Sequence, residues 1–304
     1  MEWSKLKLKW RNAMHNIMKS IGFSGVTTKK EMDQLIGKVL AEPNYKMSLR
    51  AKNKVGQIQL SKDFGKNFGI SVVGEYDEKG FLNVEYCFPY YKGVTVSDYE
   101  EIQIERHADK ESYAGICDDL NVSVSLIFFL QNVLEYLDAA KMGDRMKIPR
   151  KVLFAGLAQK GLVILEIQKN QEQKQSEIAG NQMRNNLLAA ARAGDLDAIE
   201  SLTLDDMDMY TIISKRVKHE DIFTIVDSYF MPFGIESDQY AILGNILSVT
   251  KQQNELTKEM VYCMEVECNH IIIHVCINEK NLLGEPAVGR RFKGEIWLQG
   301  KVLF

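Results

Sequence analysis

Ile242-Leu-Gly-Asn-Ile-Leu-Ser-Val249, Val261-Tyr-Cys-Met-Glu-Val-Glu267 and Ile271-Ile-Ile-His-Val-Cys-Ile277 decide the fold, together with Arg291-Phe-Lys-Gly-Glu-Ile-Trp-Leu298 and Lys301-Val-Leu-Phe304. Each run is short, rich in β-branched or aromatic residues, and set off by turn residues. Asn254 to Lys258 precede the second run, and Cys268-Asn269-His270 make a tight turn before the third. Short strands in succession with turns between them mark a small barrel or sandwich. The stretch from Ile235 to Phe304 is therefore predicted to close into a small β-barrel of the oligonucleotide-binding (OB-like) kind.

Upstream of the barrel the pattern is α+β. Met14 to Ile21 reads as a first helix closed by Gly22. Thr28-Lys-Lys-Glu31 is a capping box, and the apolar residues Met32, Leu35, Ile36, Val39 and Leu40 then fall on one helical face. A meander follows, with strands at Gln57 to Ser61, Gly69 to Tyr76 and Phe81 to Phe88, and a further strand at Glu100 to Arg106. Ser123 to Lys141 is predicted as a helix, and Lys151 to Leu157 and Leu162 to Ile167 as two strands. Lys169 to Asn186, rich in Gln, Asn, Lys and Glu, reads as a solvated helix or linker. Asp195 caps a short helix, Thr203 to Asp206 open another, and the β-branched run Ile222 to Phe230 favours a strand. The fold class is α+β: an N-terminal α+β domain with an antiparallel sheet (14–167), a helical connector (168–220) and an OB-like β-barrel domain (221–304). Residues 1–13 read as a tail or a start placed too early.

Composition restricts the function classes. Hydrophobic residues make up 45% and charged residues 26% of the 304, the balance of a soluble globular protein. The longest strongly apolar run, Leu126 to Leu130, is far short of the roughly 20 residues of a membrane span, and no secretory signal is present. Five scattered cysteines without a C-x-x-C pair argue against a disulfide framework or a four-cysteine zinc site. The expected setting is cytoplasmic, with no metal and no cofactor. Net charge is −3 overall, but residues 1–66 carry 14 Lys+Arg against 5 Asp+Glu. Such asymmetry marks either an anionic partner or a solvated face.

Two clusters carry the functional candidates. Arg106, His107, Glu111, Asp118 and Asp119 supply a cation, a base and carboxylates on what reads as a loop, the kind of segment that hosts ligand sites. Gly289-Arg290-Arg291-Phe-Lys293-Gly294 places Arg290, Arg291 and Lys293 beside aromatics, as candidate contacts to an anion or a nucleic acid. Against that reading, residues 235–304 hold 7 Lys+Arg and 9 Asp+Glu. Cys268, His270, His274 and Cys276 share one strand parity, but a straight strand spreads them over about 27 Å, too far to surround one ion. Nucleotide-binding glycine loops and the G-x-S-x-G and H-E-x-x-H motifs are absent from the sequence.

Met14-His-Asn-Ile-Met-Lys-Ser-Ile-Gly-Phe-Ser24, Glu105-Arg-His-Ala-Asp-Lys-Glu-Ser112, Cys117-Asp-Asp119 and Leu283-Gly-Glu-Pro-Ala-Val-Gly-Arg-Arg-Phe-Lys-Gly294 form a distinctive set. By these segments the chain resembles a bacterial family catalogued as domain of unknown function 3881, found mainly in anaerobic Gram-positive bacteria. The resemblance covers about Met14 to Phe304. It implies no activity, so no catalytic role carries over. The sequence leads to a non-catalytic binding or regulatory protein with a protein or nucleic-acid partner. The alternatives are an enzyme with its site in the Arg106–Asp119 loop, and an assembly partner using the aromatic run Tyr86 to Tyr91.

Overall fold

The computed structural model of the protein describes residues 17–51, 54–77, 81–106, 112–119, 124–141, 148–166, 171–216, 218–220, 222–234 and 237–304. A helical turn at Ile17 to Ile21 comes first. It ends where Gly22 takes φ +86°, a left-handed conformation in which glycine carries no steric penalty. Helix α1 (Lys29–Ala41) starts with the predicted capping box: Glu31 N–H donates to Thr28 Oγ1 at 3.3 Å, and Glu31 Oε2 accepts from Thr28 N at 2.8 Å. Met32, Leu35, Ile36 and Val39 of α1 are buried, as their spacing predicts.

The first sheet is a four-stranded antiparallel meander of β1 (Tyr45–Ala51), β2 (Lys54–Gly65), β3 (Phe68–Tyr76) and β4 (Leu82–Tyr91). The second begins with β5 (Val96–Asp98), β6 (Gln103–Arg106), β7 (Tyr113–Asp119) and β8 (Val124–Leu130). After helix α2 (Val133–Ala140) comes β9 (Lys151–Ile164), then helices α3 (Gln171–Arg192), α4 (Leu196–Arg216) and the short α5 (Ile222–Ile225). The chain ends with β10 (Tyr229–Pro232), β11 (Gln239–Gln253), β12 (Met260–Cys268), β13 (Ile271–Asn278), the two-residue β14 (Leu282–Leu283) and β15 (Arg291–Leu303).

A closed five-stranded barrel lies at the heart of this second sheet. β11, β12 and β13 form an antiparallel meander, β9 pairs parallel to β13, and β15 lies antiparallel between β9 and β11. The small barrel is present as expected, with one change of membership. Arg291 to Leu303 is a single strand instead of two, and the fifth stave is β9. β9 is likewise one strand of fourteen residues where Lys151 to Leu157 and Leu162 to Ile167 read as two. Gln159-Lys160-Gly161 has the look of a turn, but Gly161 serves another purpose: a Cβ there would meet the Phe292 ring at 2.5 Å inside the barrel.

Further elements differ from expectation, among them α4, one continuous helix where Asp195 and Thr203 to Asp206 read as the starts of two. Ser123 to Lys141 is not one helix: Val124 to Leu130 is β8, and only Val133 to Ala140 is helical. Leu126, Phe128 and Leu130 of β8 are all fully buried, the period of two of a strand. Ile222 to Phe230 splits into α5 and β10. The aromatic run Tyr86 to Tyr91 is not an exposed contact, because Cys87, Phe88, Tyr90 and Tyr91 are buried in the core.

A buried polar seam joins the two sheets. Gln131 Nε2 donates to Tyr91 O at 2.9 Å and to Gln299 Oε1 at 2.8 Å, while Gln299 Nε2 donates to Pro89 O at 2.8 Å. Gln59 Nε2 adds a bond to Gln131 O at 2.9 Å. α3 and α4 form a hairpin between β9 and β10, with Asp195 Oδ1 capping α4 through the N–H groups of Asp197 and Ala198. No described helix is long and apolar enough to cross a membrane.

Candidate functional site

Of the first candidate cluster, Arg106, Asp118 and Asp119 are described, while His107 and Glu111 lie outside the described residues. Asp118 and Asp119 end a strand, β7, instead of sitting on a loop. Arg106 of β6 pairs with Tyr113, so the two aspartates stand five and six residues farther along, about 16–20 Å away at ~3.3 Å per residue. Successive strand residues point to opposite faces. Asp118 is exposed and accepts from Ser125 Oγ at 2.6 Å; Asp119 is buried and accepts from the Tyr99 hydroxyl at 2.9 Å. The described members of this set are not brought together. Cys117 between them is buried, and burial pushes its thiol well above the ordinary range.

The second cluster divides by role. Arg291 is 2% exposed, and its guanidinium donates to Leu165 O at 3.1 Å, Val226 O at 3.0 Å, Asp227 O at 3.4 Å and Phe223 O at 2.7 Å. It braces the end of β9 against α5, whose C-terminal carbonyls it satisfies. Arg290 Nη1 donates to Glu285 O at 2.6 Å. Lys293 is different: its ammonium sits 4.4 Å from the centre of the Phe223 ring, and among the described residues no carboxylate pairs with it.

Lys293 lies in a cleft of about 340 Å³ on the outer wall of the barrel. The floor comes from β9, β15 and β11 through Leu162, Ala241 and the glycines Gly161 and Gly294, and Tyr229 of β10 and Leu283 of β14 stand at its sides. Leu283 is 69% exposed and Leu162 38%, so apolar surface faces solvent here. Lys160 joins Lys293 at the rim and is bonded to Glu295 at 2.9 Å. Sequence reasoning found Lys293 but missed Lys160, Leu162, Tyr229 and Leu283. They come from three separate elements, β9, β10 and β14, and no local pattern marks them.

The opposite wall of the barrel is covered by the protein itself. In oligonucleotide-binding barrels the second and third strands and the loop between the first two carry the ligand. The counterparts here are β12, β13 and the loop 254–259. Asn254 Nδ2 donates to Ile21 O at 2.8 Å and Thr257 Oγ1 to Gly22 O at 2.6 Å, so the segment Ile17 to Phe23 is tied over the loop. Farther along the same wall, Thr95 N–H donates to His274 Nε2 at 3.2 Å, and Thr95 Oγ1 donates to Glu265 Oε1 at 2.9 Å. Since Nε2 accepts, the neutral ring carries its proton on Nδ1. The Thr95 hydroxyl lies 2.9 Å from both Glu265 Oε1 and His274 Nε2, so the trio fastens the β4–β5 connection to the barrel.

Burial lowers the His274 pKa from its ordinary 6.5, with Glu265 opposing. A histidine held neutral in the fold contributes stability that is complete above the unfolded value, and that is lost as pH falls below about 6.5. Urea midpoints of the wild type should therefore drop between pH 7.5 and pH 5.5. In His274→Gln that part of the slope should vanish; an identical slope in the variant would assign the loss to other groups.

Fold and site define a mixed α+β protein built around a closed five-stranded barrel, one wall self-covered and the other bearing a cleft. Among the described residues no group of three or more His, Cys, Asp or Glu is placed to hold a metal. The chain belongs to the family described as domain of unknown function, E. rectale gene description (DUF3881), whose model matches residues 18–300. Comparison with curated proteins and with solved structures gives no match.

Proposed function

We propose that the protein is a non-catalytic binding protein whose ligand is a small anion with an apolar body, held in the cleft on the β9–β15–β11 wall. The observation that carries this reading is Lys293, a cation with no carboxylate partner among the described residues, at the rim of an exposed apolar hollow. A volume of about 340 Å³ falls in the ordinary range of ligand clefts, which combine apolar walls with a few polar groups. Lys293 and Lys160 would meet the charge; Leu162, Leu283 and Tyr229 would pack on the body. A nucleic-acid partner is less favoured, because the protein's own residues cover the wall that such barrels use. Five buried free thiols fit a cytoplasmic setting.

Anilinonaphthalene sulfonate, an aromatic anion, is a suitable probe. It should bind the native protein at one saturable site, and Lys293→Glu should weaken it at least tenfold, since a charge-assisted contact is worth about 1.5–3 kcal/mol. Binding that ignores this substitution would reject the cleft.

A further inference from the structure

β12 and β13 are joined by the two-residue turn Asn269-His270, both residues with positive φ, so Cys268 and Ile271 form the hydrogen-bonded pair that closes the hairpin. Hydrogen-bonded and non-hydrogen-bonded pairs alternate from there. Five pairs on, with no register shift, Cys263 faces Cys276 at a non-hydrogen-bonded position. Cα atoms at such a pair are about 4.5 Å apart, inside the ~4.4–6.8 Å that a disulfide spans. Both side chains are buried, Cys263 at 4% exposure and Cys276 at 0%, so the paired thiols meet out of reach of bulk water. None of the other cysteines has this arrangement: Cys87 faces Val72, Cys117 faces Leu126 and Cys268 faces Ile271.

We propose that Cys263 and Cys276 are a peroxide-responsive dithiol that closes into an intramolecular disulfide. Cys263 is the attacking sulfur: it is the more exposed of the two, the Cys276 S–H is engaged with Ser20 O, and Cys276 and Tyr91 hold the Cys263 thiol below its ordinary range while burial pushes that of Cys276 up. The Cys263 thiolate attacks one peroxide oxygen, the O–O bond breaks, and hydroxide leaves with the proton that Cys263 gave up, as water. A sulfenic acid remains on Cys263. Cys276 loses its proton and attacks that sulfur; the S–O bond breaks and the hydroxyl leaves as a second water. Two thiols are oxidised to one disulfide and one peroxide is reduced to two waters.

The Cys276 thiol donates to Ser20 O at 3.4 Å, in the segment that covers this wall. A disulfide has no S–H, so oxidation removes that bond and loosens the Ile17–Phe23 cover.

The test treats the folded full chain with hydrogen peroxide and maps peptides without reduction. The expected product is a single Cys263–Cys276 disulfide. In Cys276→Ser, Cys263 has no resolving partner and should proceed to sulfinic acid. Dithionitrobenzoate, a bulky reagent, should leave all five native thiols unmodified. Amide exchange at Ser20 to Phe23 should quicken in the oxidised protein. A pair that stays reduced in folded protein, or a disulfide to any other cysteine, would overturn the proposal. Unchanged exchange at Ser20 to Phe23 would overturn its link to the cover.

Discussion

Gln299→Leu is expected to destabilise the protein by about 2–4 kcal/mol, because each buried polar group left unpaired costs about 1–3 kcal/mol. Gln299 is fully buried in the seam between the sheets, with both ends of its amide in use. Nε2 donates to Pro89 O in β4, and Oε1 accepts from Gln131 Nε2 and, at 3.4 Å, from Tyr91 N. Leucine fills much of the volume but returns none of these bonds. In a protein whose whole stability is about 5–15 kcal/mol, the melting temperature should drop on the order of 10 °C. Gln299→Glu separates polarity from volume. Its carboxylate would face the Pro89 carbonyl, and burial would raise its pKa above the ~4.3 of an unfolded glutamate. The deficit of that variant should therefore deepen as pH rises above about 4.3 and shrink in acid. Thermal melts of both variants across pH check this; a Gln299→Leu melt within two degrees of wild type would show that the seam adds nothing net.

Asn254→Ala should cost a similar amount, about 2–4 kcal/mol, and its damage should be local. Asn254 is 0% exposed. Its Oδ1 accepts from Leu256 N at 2.9 Å and Thr257 N at 3.0 Å, which shapes the β11–β12 loop, while its Nδ2 holds Ile21 O at 2.8 Å. Asn254→Asp would keep the two acceptor bonds and turn the third contact into oxygen against oxygen. Both variants should expose the segment from Ile17 to Phe23 to exchange and to protease before the rest of the molecule. Uniform loosening of the whole chain would instead make Asn254 an ordinary core residue.

What was legible in the sequence were features fixed by neighbours in the chain. The Thr28–Glu31 box, the α1 face and the Cys268–Ile271 turn are each decided within a few residues. At β8 two periods compete: Leu126, Leu130, Val133 and Leu137 satisfy a helical spacing while Leu126, Phe128 and Leu130 satisfy a strand, and the packing of the sheet settles the tie. β9 reads as two strands because Gly161 signals a turn wherever its cross-strand neighbours are unknown. The cleft was visible only through Lys293. Its walls meet because β15 lies between β9 and β11, with β14 paired to β9 and β10 to β11, and adjacency between strands far apart in sequence leaves no local trace. The polar seam was invisible for the same reason, since glutamines in strands ordinarily face water.

The membership of β9 in the barrel also has a consequence for biosynthesis. β9 is complete at Ile164, but its long antiparallel partner starts only at Arg291. At ~5–20 residues per second, a ribosome leaves β9 without that partner for roughly 6–25 s, longer than most folding steps of a domain. During that interval Phe154, Ala155, Leu157 and Ala158, all buried in the finished barrel, lie beyond the short pairing with β5 as an apolar strand with open edges on a nascent chain. Yield in the cell should therefore depend on translation speed and on holding chaperones, whereas refolding of the full chain from denaturant involves no such wait.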